Sequence, residues 1–282
     1  FTLGSYVGKT TGMPILNKSS YRNGYNGFKS LYDFLREQDY RQYVVQGTIG
    51  SFAGLNDFLK NEDIDAFYDY DDIAEGRPNE RNGLSDVLFK WSVNDRSTFA
   101  FAKSVLDTIK EPFSLTLFTI DTHFPDGMYD EQCGNKPSDA DATETYKAIV
   151  QCTSTLTQDF VNYLKQKDFY ENTTVVIVGD HNFMGKHLVN NKPNRKWINI
   201  FINSVKEPSN PNRYFSDLDM FPTILSALGY EIEGDRLGLG VNLFSDEKTL
   251  LEIYGADSLN KLIGTIPGSI EFNQFLWGKE HE

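Results

Sequence analysis

The sequence predicts an α/β fold in which a mixed, mostly parallel sheet is covered by helices on both faces. Three observations carry this. Four β-prone runs, at residues 43–45, 114–120, 173–178 and 197–202, alternate with segments of helical periodicity. The run Thr173-Thr-Val-Val-Ile-Val178 is continuously apolar at its C-terminal end, the pattern of a strand buried on both faces. No internal repeat or low-complexity tract interrupts the alternation.

Taken in order, Phe28, Leu31, Tyr32 and Leu35 recur at helical spacing, and the segment ends in Arg36-Glu37-Gln38-Asp39. Tyr43-Val44-Val45 is a short strand closed by Gln46-Gly47. Residues 63–81 are acidic, Tyr-rich and aperiodic, which predicts a surface excursion. A helix over 97–110 stops before Pro112, and Ser114–Ile120 follows as a strong strand. Ile149, Cys152, Leu156, Phe160 and Tyr163 predict a long helix leading to the strand 173–178, and Trp197–Ile202 is the next strand. Ser216 caps a helix whose apolar side holds Leu218, Phe221, Leu225 and Leu228, and Gly229 stops it. We expect one domain across 1–282. Its body runs to about Ser245, and residues 246–282 form a helical appendage packed back through Leu250, Leu251, Tyr254 and Leu259.

The charge balance of 27 Lys+Arg against 40 Asp+Glu, net −13, argues against a nucleic-acid partner, because phosphate affinity needs a cationic surplus. The 21 Phe and 15 Tyr supply ample material for a core. No apolar run approaches the roughly 18–20 residues that span a bilayer. The chain opens at Phe1 inside structured-looking sequence, so a longer precursor, with any membrane anchor outside this chain, is expected. The two cysteines, Cys133 and Cys152, read on their own either as buried thiols or as a bridge.

Both of the best strands end in candidate ligands: one runs into Asp121-Thr122-His123-Phe124-Pro125-Asp126-Gly127, the other into Gly179-Asp180-His181-Asn182. Ligands bind beyond the carboxyl ends of strands in open α/β sheets, and a carboxylate beside an imidazole suits a hard or borderline metal. By themselves Asp180 is equally a turn cap and His181 a hydrogen-bonded surface residue. Thr2, Ser5, Thr10 and Thr11 offer hydroxyls near the start, which read alone as helix-capping or helix-lining groups.

The opening segment Phe1–Ile15 resembles the nucleophile region of the phosphoglycerol transferases that decorate bacterial membrane-derived oligosaccharides. These are grouped with lipoteichoic acid synthase in the sulfatase-like branch of the alkaline phosphatase superfamily. The resemblance continues in order through Gln46-Gly47, Phe52-Ala53-Gly54, Gly83–Asp86, Asp121–Gly127, Gly179-Asp180-His181, Asp235-Arg-Leu-Gly-Leu-Gly240 and Asn242–Ser245. It implies an alkaline phosphatase/sulfatase-like fold, and a metal-dependent transfer of phosphoglycerol from phosphatidylglycerol to a cell-envelope polysaccharide. It also implies an extracytoplasmic location with membrane anchoring in the full-length protein. Carried over residue by residue, it makes Thr2 both nucleophile and metal ligand, Asp180 and His181 further metal ligands, and His123 the contact to the transferred phosphate. His187, Arg195 and Trp197 are substrate-side candidates. The ion expected at such an oxygen-rich site is Mn²⁺, with Mg²⁺ or Zn²⁺ as alternatives. The oxidising compartment implied by the family favours a Cys133–Cys152 bridge.

Two departures accompany the resemblance. The family's further metal ligand, a glutamate upstream of the nucleophile, has no counterpart here, and Leu55 stands where relatives often carry Lys. The same metal site would also serve a phosphoethanolamine transferase or a phosphodiesterase. A sulfatase proper needs a C/S-x-P-x-R segment, which is missing from the opening residues. Outside enzymes, the aromatic richness fits a glycan-binding domain that kept the fold.

Overall fold

The computed structural model describes residues 2–15, 28–75, 92–134, 141–185, 188 and 196–265. The motif Gly83–Asp86 and the candidates His187 and Arg195 lie outside these residues. Helix α1 (Thr2–Thr11) opens the chain, followed by α2 (Leu31–Arg36) and strand β1 (Arg41–Gln46). A 3₁₀ turn at Phe52–Gly54 leads into α3 (Leu55–Leu59), then β2 (Ala66–Tyr68) and α4 (Tyr70–Ala74). Next come α5 (Asp95–Leu106), β3 (Phe113–Phe118), the long α6 (Ala142–Leu164), β4 (Val175–Val178) and β5 (Asn199–Ile202). Helix α7 (Asp217–Ala227), the two-residue strands β6 (Arg236–Leu237) and β7 (Gly240–Val241), and α8 (Leu250–Thr265) complete it.

Strands β2, β1 and β3 pair in that order, all parallel, with β1 and β3 in register from Arg41 opposite Phe113 to Gln46 opposite Phe118. Strand β5 runs antiparallel to β4 in a separate two-stranded sheet, so the α/β class holds, with the parallel and antiparallel pairings of the described strands lying in different sheets. Two expectations about the strands need correction. The stretch 63–81 is not merely a surface excursion: residues 66–68 add an edge strand to β1, and α4 follows on an Asp69 cap. Its acidity misled because the carboxylate of Asp65 is structural, accepting from the Gln42 N–H at 2.7 Å and from Arg36 at 2.8 Å. Strand β4 is half-buried throughout rather than covered on both faces, because its described neighbour is antiparallel β5, whose Ile200 is 41% exposed.

The core nearest the site joins Leu3, Tyr6 and Val7 of α1 to Val44 and to Leu55, Phe58 and Leu59 of α3. The opposite side of α1 crosses α7 closely, since a Cβ on Gly8 would lie 3.1 Å from the Asp217 Cβ. Gly12, at φ +66°, ends α1, and its carbonyl accepts from the Leu239 N–H at 2.9 Å. Buried Asp219 then binds the β6–β7 hairpin to α7: its carboxylate accepts from the N–H groups of Ser216 at 2.8 Å and of Val241 at 2.9 Å. The Arg-Leu-Gly-Leu-Gly segment therefore braces the helix that begins with Thr2.

At the C-terminal side, Thr249 and Glu252 cap α8 reciprocally, at 2.9 and 3.1 Å. Gly255, at φ +70°, breaks the helix, so Leu259 is buried while Tyr254 stays 49% exposed, against the expectation that both pack inward. Among the described residues no helix is long and apolar enough to cross a membrane.

Candidate active site

Thr2 stands in the first turn of α1, and Asp180 and His181 follow the carboxyl end of β4. The Thr2 Oγ1 donates to Asp180 Oδ2 at 2.9 Å, and His181 Nε2 lies 3.3 Å from the same oxygen. Donors bound at roughly 2.1 Å on neighbouring positions of one ion sit about 3 Å apart, so this hydroxyl, carboxylate and imidazole have the spacing and chemistry of a divalent-cation donor set. The ring orientation agrees. His181 Nδ1 is 2.9 Å from the Asn182 carbonyl, which can only accept, so Nδ1 donates there and the ring is turned with Nε2 toward Asp180 Oδ2. The other Asp180 oxygen accepts from the His181 N–H at 2.8 Å.

His123 is placed by the turn that leaves β3. Buried Asp95 receives the N–H groups of Ile120 at 2.6 Å and Asp121 at 3.1 Å, and the Thr153 hydroxyl of α6 at 2.8 Å. The turn closes with the Met128 N–H on the Asp121 carbonyl at 2.6 Å, and Gly127 makes this possible. Its φ is +73°, and a Cβ there would stand 2.8 Å from that carbonyl. Burial raises the carboxyls of Asp95 and Asp121, the latter well above the usual range and further raised by Asp95 itself. His123 Nδ1 donates to the Phe124 carbonyl at 2.6 Å, and the Phe52 ring meets the imidazole edge-on at 5.4 Å. That contact gives the Phe-Ala-Gly motif a role, because Ala53 at φ +57° and Gly54 at φ +81° form the turn that holds Phe52. The Cys133 and Cys152 sulfurs are bonded, with Cα atoms 5.7 Å apart, tying the segment after His123 to α6. The cluster of Asp130 with these two sulfurs therefore offers no thiolate to a metal.

Tyr146 of α6 joins the two strand-end loops. Its hydroxyl donates to the Thr122 carbonyl at 2.9 Å, and its ring packs on Phe183 with centroids 4.2 Å apart. Burial, with a smaller push from the Asp180 charge, raises its phenol to about 12. Beyond His181 a cleft of about 350 Å³ opens between Phe183 and Trp197, with Lys196 also on its wall.

The structure thus brings Thr2, Asp180 and His181 into direct contact, sets His123 on a loop tied to theirs through Tyr146, and places Trp197 on the cleft. Sequence reasoning missed Asp95, Tyr146 and Lys9. Buried Lys9 bonds Ser5 and Asp217 and lies over the Trp197 ring at 5.2 Å. A signal for Lys9 existed in its position seven residues after Thr2, two turns along the same helix face.

Comparison with known proteins bears on the family and the fold. The sulfatase family model matches residues 8–230. Phosphoglycerol transferase I of Citrobacter koseri is 28% identical over 86% of this chain and 32% of its own length. The enzyme of the same name from Salmonella choleraesuis is 29% identical over 79% of this chain and 29% of its own. The chain thus spans about a third of the length of these curated relatives. Among solved structures, the lipoteichoic acid synthase LtaP from Listeria monocytogenes superposes with a TM-score of 0.61 at 16% identity, over 86% of this chain and 62% of that one. An alkaline phosphatase superfamily protein from Vibrio parahaemolyticus gives 0.58 at 21% identity, over 81% of this chain and 55% of that one. These likenesses establish an alkaline phosphatase superfamily fold, and the extent of the family match settles the affiliation: the chain belongs to the sulfatase family.

Proposed function

We propose that this chain carries the catalytic centre of a phosphoglycerol transferase, with phosphatidylglycerol as donor, a cell-envelope glycan as acceptor and Mn²⁺ as the resident ion. The full-length protein would be anchored in the membrane with this domain on its outer side. The observation that supports the reading is the contact of Thr2 Oγ1 and His181 Nε2 with one oxygen of Asp180, in a chain whose curated relatives are named phosphoglycerol transferase I. Asp180 orients the threonine hydroxyl and holds its proton in a hydrogen bond. His181 is oriented by its Nδ1 hydrogen bond to the Asn182 carbonyl, which turns Nε2 toward Asp180 Oδ2, where it would ligate the ion. The N-terminal turn of α1 presents backbone N–H groups and the positive end of a helix dipole to an incoming phosphodiester. His123 binds the phosphate from the neighbouring loop.

A bound divalent cation would supply Lewis acidity, lowering the hydroxyl pKa and neutralising phosphate charge. A bond forms from Thr2 Oγ1 to phosphorus as the bond to the diacylglycerol oxygen breaks, and diacylglycerol leaves with a proton. A glycan hydroxyl, or water, then takes the phosphoglycerol group and restores the threonine. The test is headgroup-labelled phosphatidylglycerol supplied to the full-length protein with a glycan acceptor. Diacylglycerol release and glycan labelling, abolished by chelation and restored by Mn²⁺, are expected. Turnover unaffected by chelation would contradict the metal site, and headgroup release seen only from phosphatidylethanolamine would contradict the donor.

A further inference from the structure

Thr2, Ser5 and Lys9 fall three and four residues apart on α1 and so form one stripe, aimed at the turn after β4. Each of them touches Asp180 or its immediate partner. The Ser5 hydroxyl donates to the Asp180 carbonyl. The Lys9 ammonium donates to Ser5 Oγ and to the Asp217 carboxylate, and stands 3.4 Å from the same Asp180 carbonyl. Its three protons thus have three acceptors, which is what a buried ammonium requires. Asp217 balances the charge from the first residue of α7, and the Trp197 indole covers the lysine, with the ammonium 5.2 Å from the ring centroid. Trp197 is itself packed against Gly179, whose added Cβ would lie 3.5 Å from the tryptophan Cβ.

Asp180 is consequently held at both ends. Its carbonyl is drawn to Ser5 and Lys9, while its carboxylate meets Thr2 one turn earlier on the same helix. A peptide anchored at its carbonyl has little freedom about its own ψ, and this limits where the carboxylate can point. We propose that Lys9, relayed through Ser5 and neutralised by Asp217, is a positioning residue that fixes Asp180 against Thr2 and so preorganises the donor set. The claim deepens the reading of Thr2, Asp180 and His181 as a metal centre. It assigns Lys9 no contact with substrate.

The test uses the full-length protein with the substitutions Lys9→Met, Lys9→Arg, Ser5→Ala and Asp180→Asn, and two readouts besides activity. The first is backbone hydrogen exchange of peptides spanning 179–185 without added metal. Lys9→Met should speed exchange there, Ser5→Ala should do so to a smaller extent, and Lys9→Arg should leave it near the unsubstituted rate. The second is the dissociation constant for Mn²⁺ alone, which Lys9→Met should weaken roughly 10- to 100-fold, the usual effect of removing a group that orients a ligand. Exchange over 179–185 unchanged in both Lys9→Met and Ser5→Ala overturns the inference. So does unchanged Mn²⁺ affinity in those variants when Asp180→Asn loses it. If the unsubstituted protein takes up no Mn²⁺, the metal reading falls, and the exchange data alone decide whether Lys9 holds the turn. Should Lys9→Met fail to fold, Ser5→Ala carries both measurements.

Discussion

Replacing Glu252 by Gln should cost the protein about 3 kcal/mol at neutral pH, and the size of that loss should depend on pH in a way the structure specifies. Arg213 approaches Glu252 as a fork, Nε to Oε1 at 3.2 Å and Nη2 to Oε2 at 2.7 Å, and the remaining Arg213 nitrogen donates to the Ser245 carbonyl at 2.7 Å. The two side chains are only 8% and 21% exposed, so water screens the pair weakly. Arg213 above all, aided by the Thr249 N–H, lowers the Glu252 carboxyl from 4.5 to about 2. At about 1.4 kcal/mol per tenfold change in proton affinity, that shift is worth about 3 kcal/mol once the group is ionised in both states. The folded value is the depressed one, so the contribution is complete above the unfolded value of 4.5 and is lost as pH falls toward 2. By about pH 3 less than half should remain. Urea unfolding of Glu252→Gln beside the unsubstituted protein, at pH 7, 4.5 and 3, measures the difference directly. A gap that is near zero at pH 7, or that stays constant down to pH 3, would refute the account of this pair and of how α8 is fixed to the body.

Three further outcomes follow from the His123 loop. Asp121 is buried beside Asp95, and its carboxyl titrates well above 3.8. Its favourable contribution is present below that value and fades as pH rises through the folded value, so Asp121→Asn should gain stability relative to the unsubstituted protein from pH 4 to pH 8 in thermal melts. A difference independent of pH would contradict this. Cys133 and Cys152 are 19 positions apart, so replacing both by Ser should lower stability by about 3 kcal/mol in denaturant titrations, provided loop entropy dominates, and an unchanged midpoint would argue against it. His123→Ala should slow phosphoglycerol transfer roughly 10- to 100-fold, the loss of one charge-assisted hydrogen bond, with Mn²⁺ affinity unchanged. Normal turnover per folded molecule would make His123 a structural turn residue.

Much of the fold was legible because its signals are local. The strands ending at Phe118 and Val178, the helix begun by Ser216 and the stop at Gly229 are all written in neighbouring residues. The edge strand 66–68 was hidden because three residues carry no period and the acidic side chain beside them, Asp65, pairs with Arg36, 29 positions away. At the site, Asp180 and His181 showed themselves as a strand-end pair, whereas Thr2 stood out from other early hydroxyls only through family resemblance. The spacing from Thr2 places Lys9 on the same helix face, but its role depends on acceptors on Asp180 and Asp217 that lie 171 and 208 positions away. Tyr146 reads in sequence as one more aromatic of a long helix, and only the packing of α6 over both loops gives its hydroxyl the Thr122 carbonyl.

The most direct test of the central claim is to trap the covalent intermediate. Full-length protein is mixed with headgroup-labelled phosphatidylglycerol and Mn²⁺ in the absence of acceptor, quenched in acid and digested, and the label is mapped by mass spectrometry. A phosphoglycerol group on the hydroxyl of Thr2, absent after Thr2→Ala, is the predicted result. Label on Ser5 or another residue, or full turnover by Thr2→Ala, would contradict the assignment of Thr2 as the nucleophile beside Asp180 and His181.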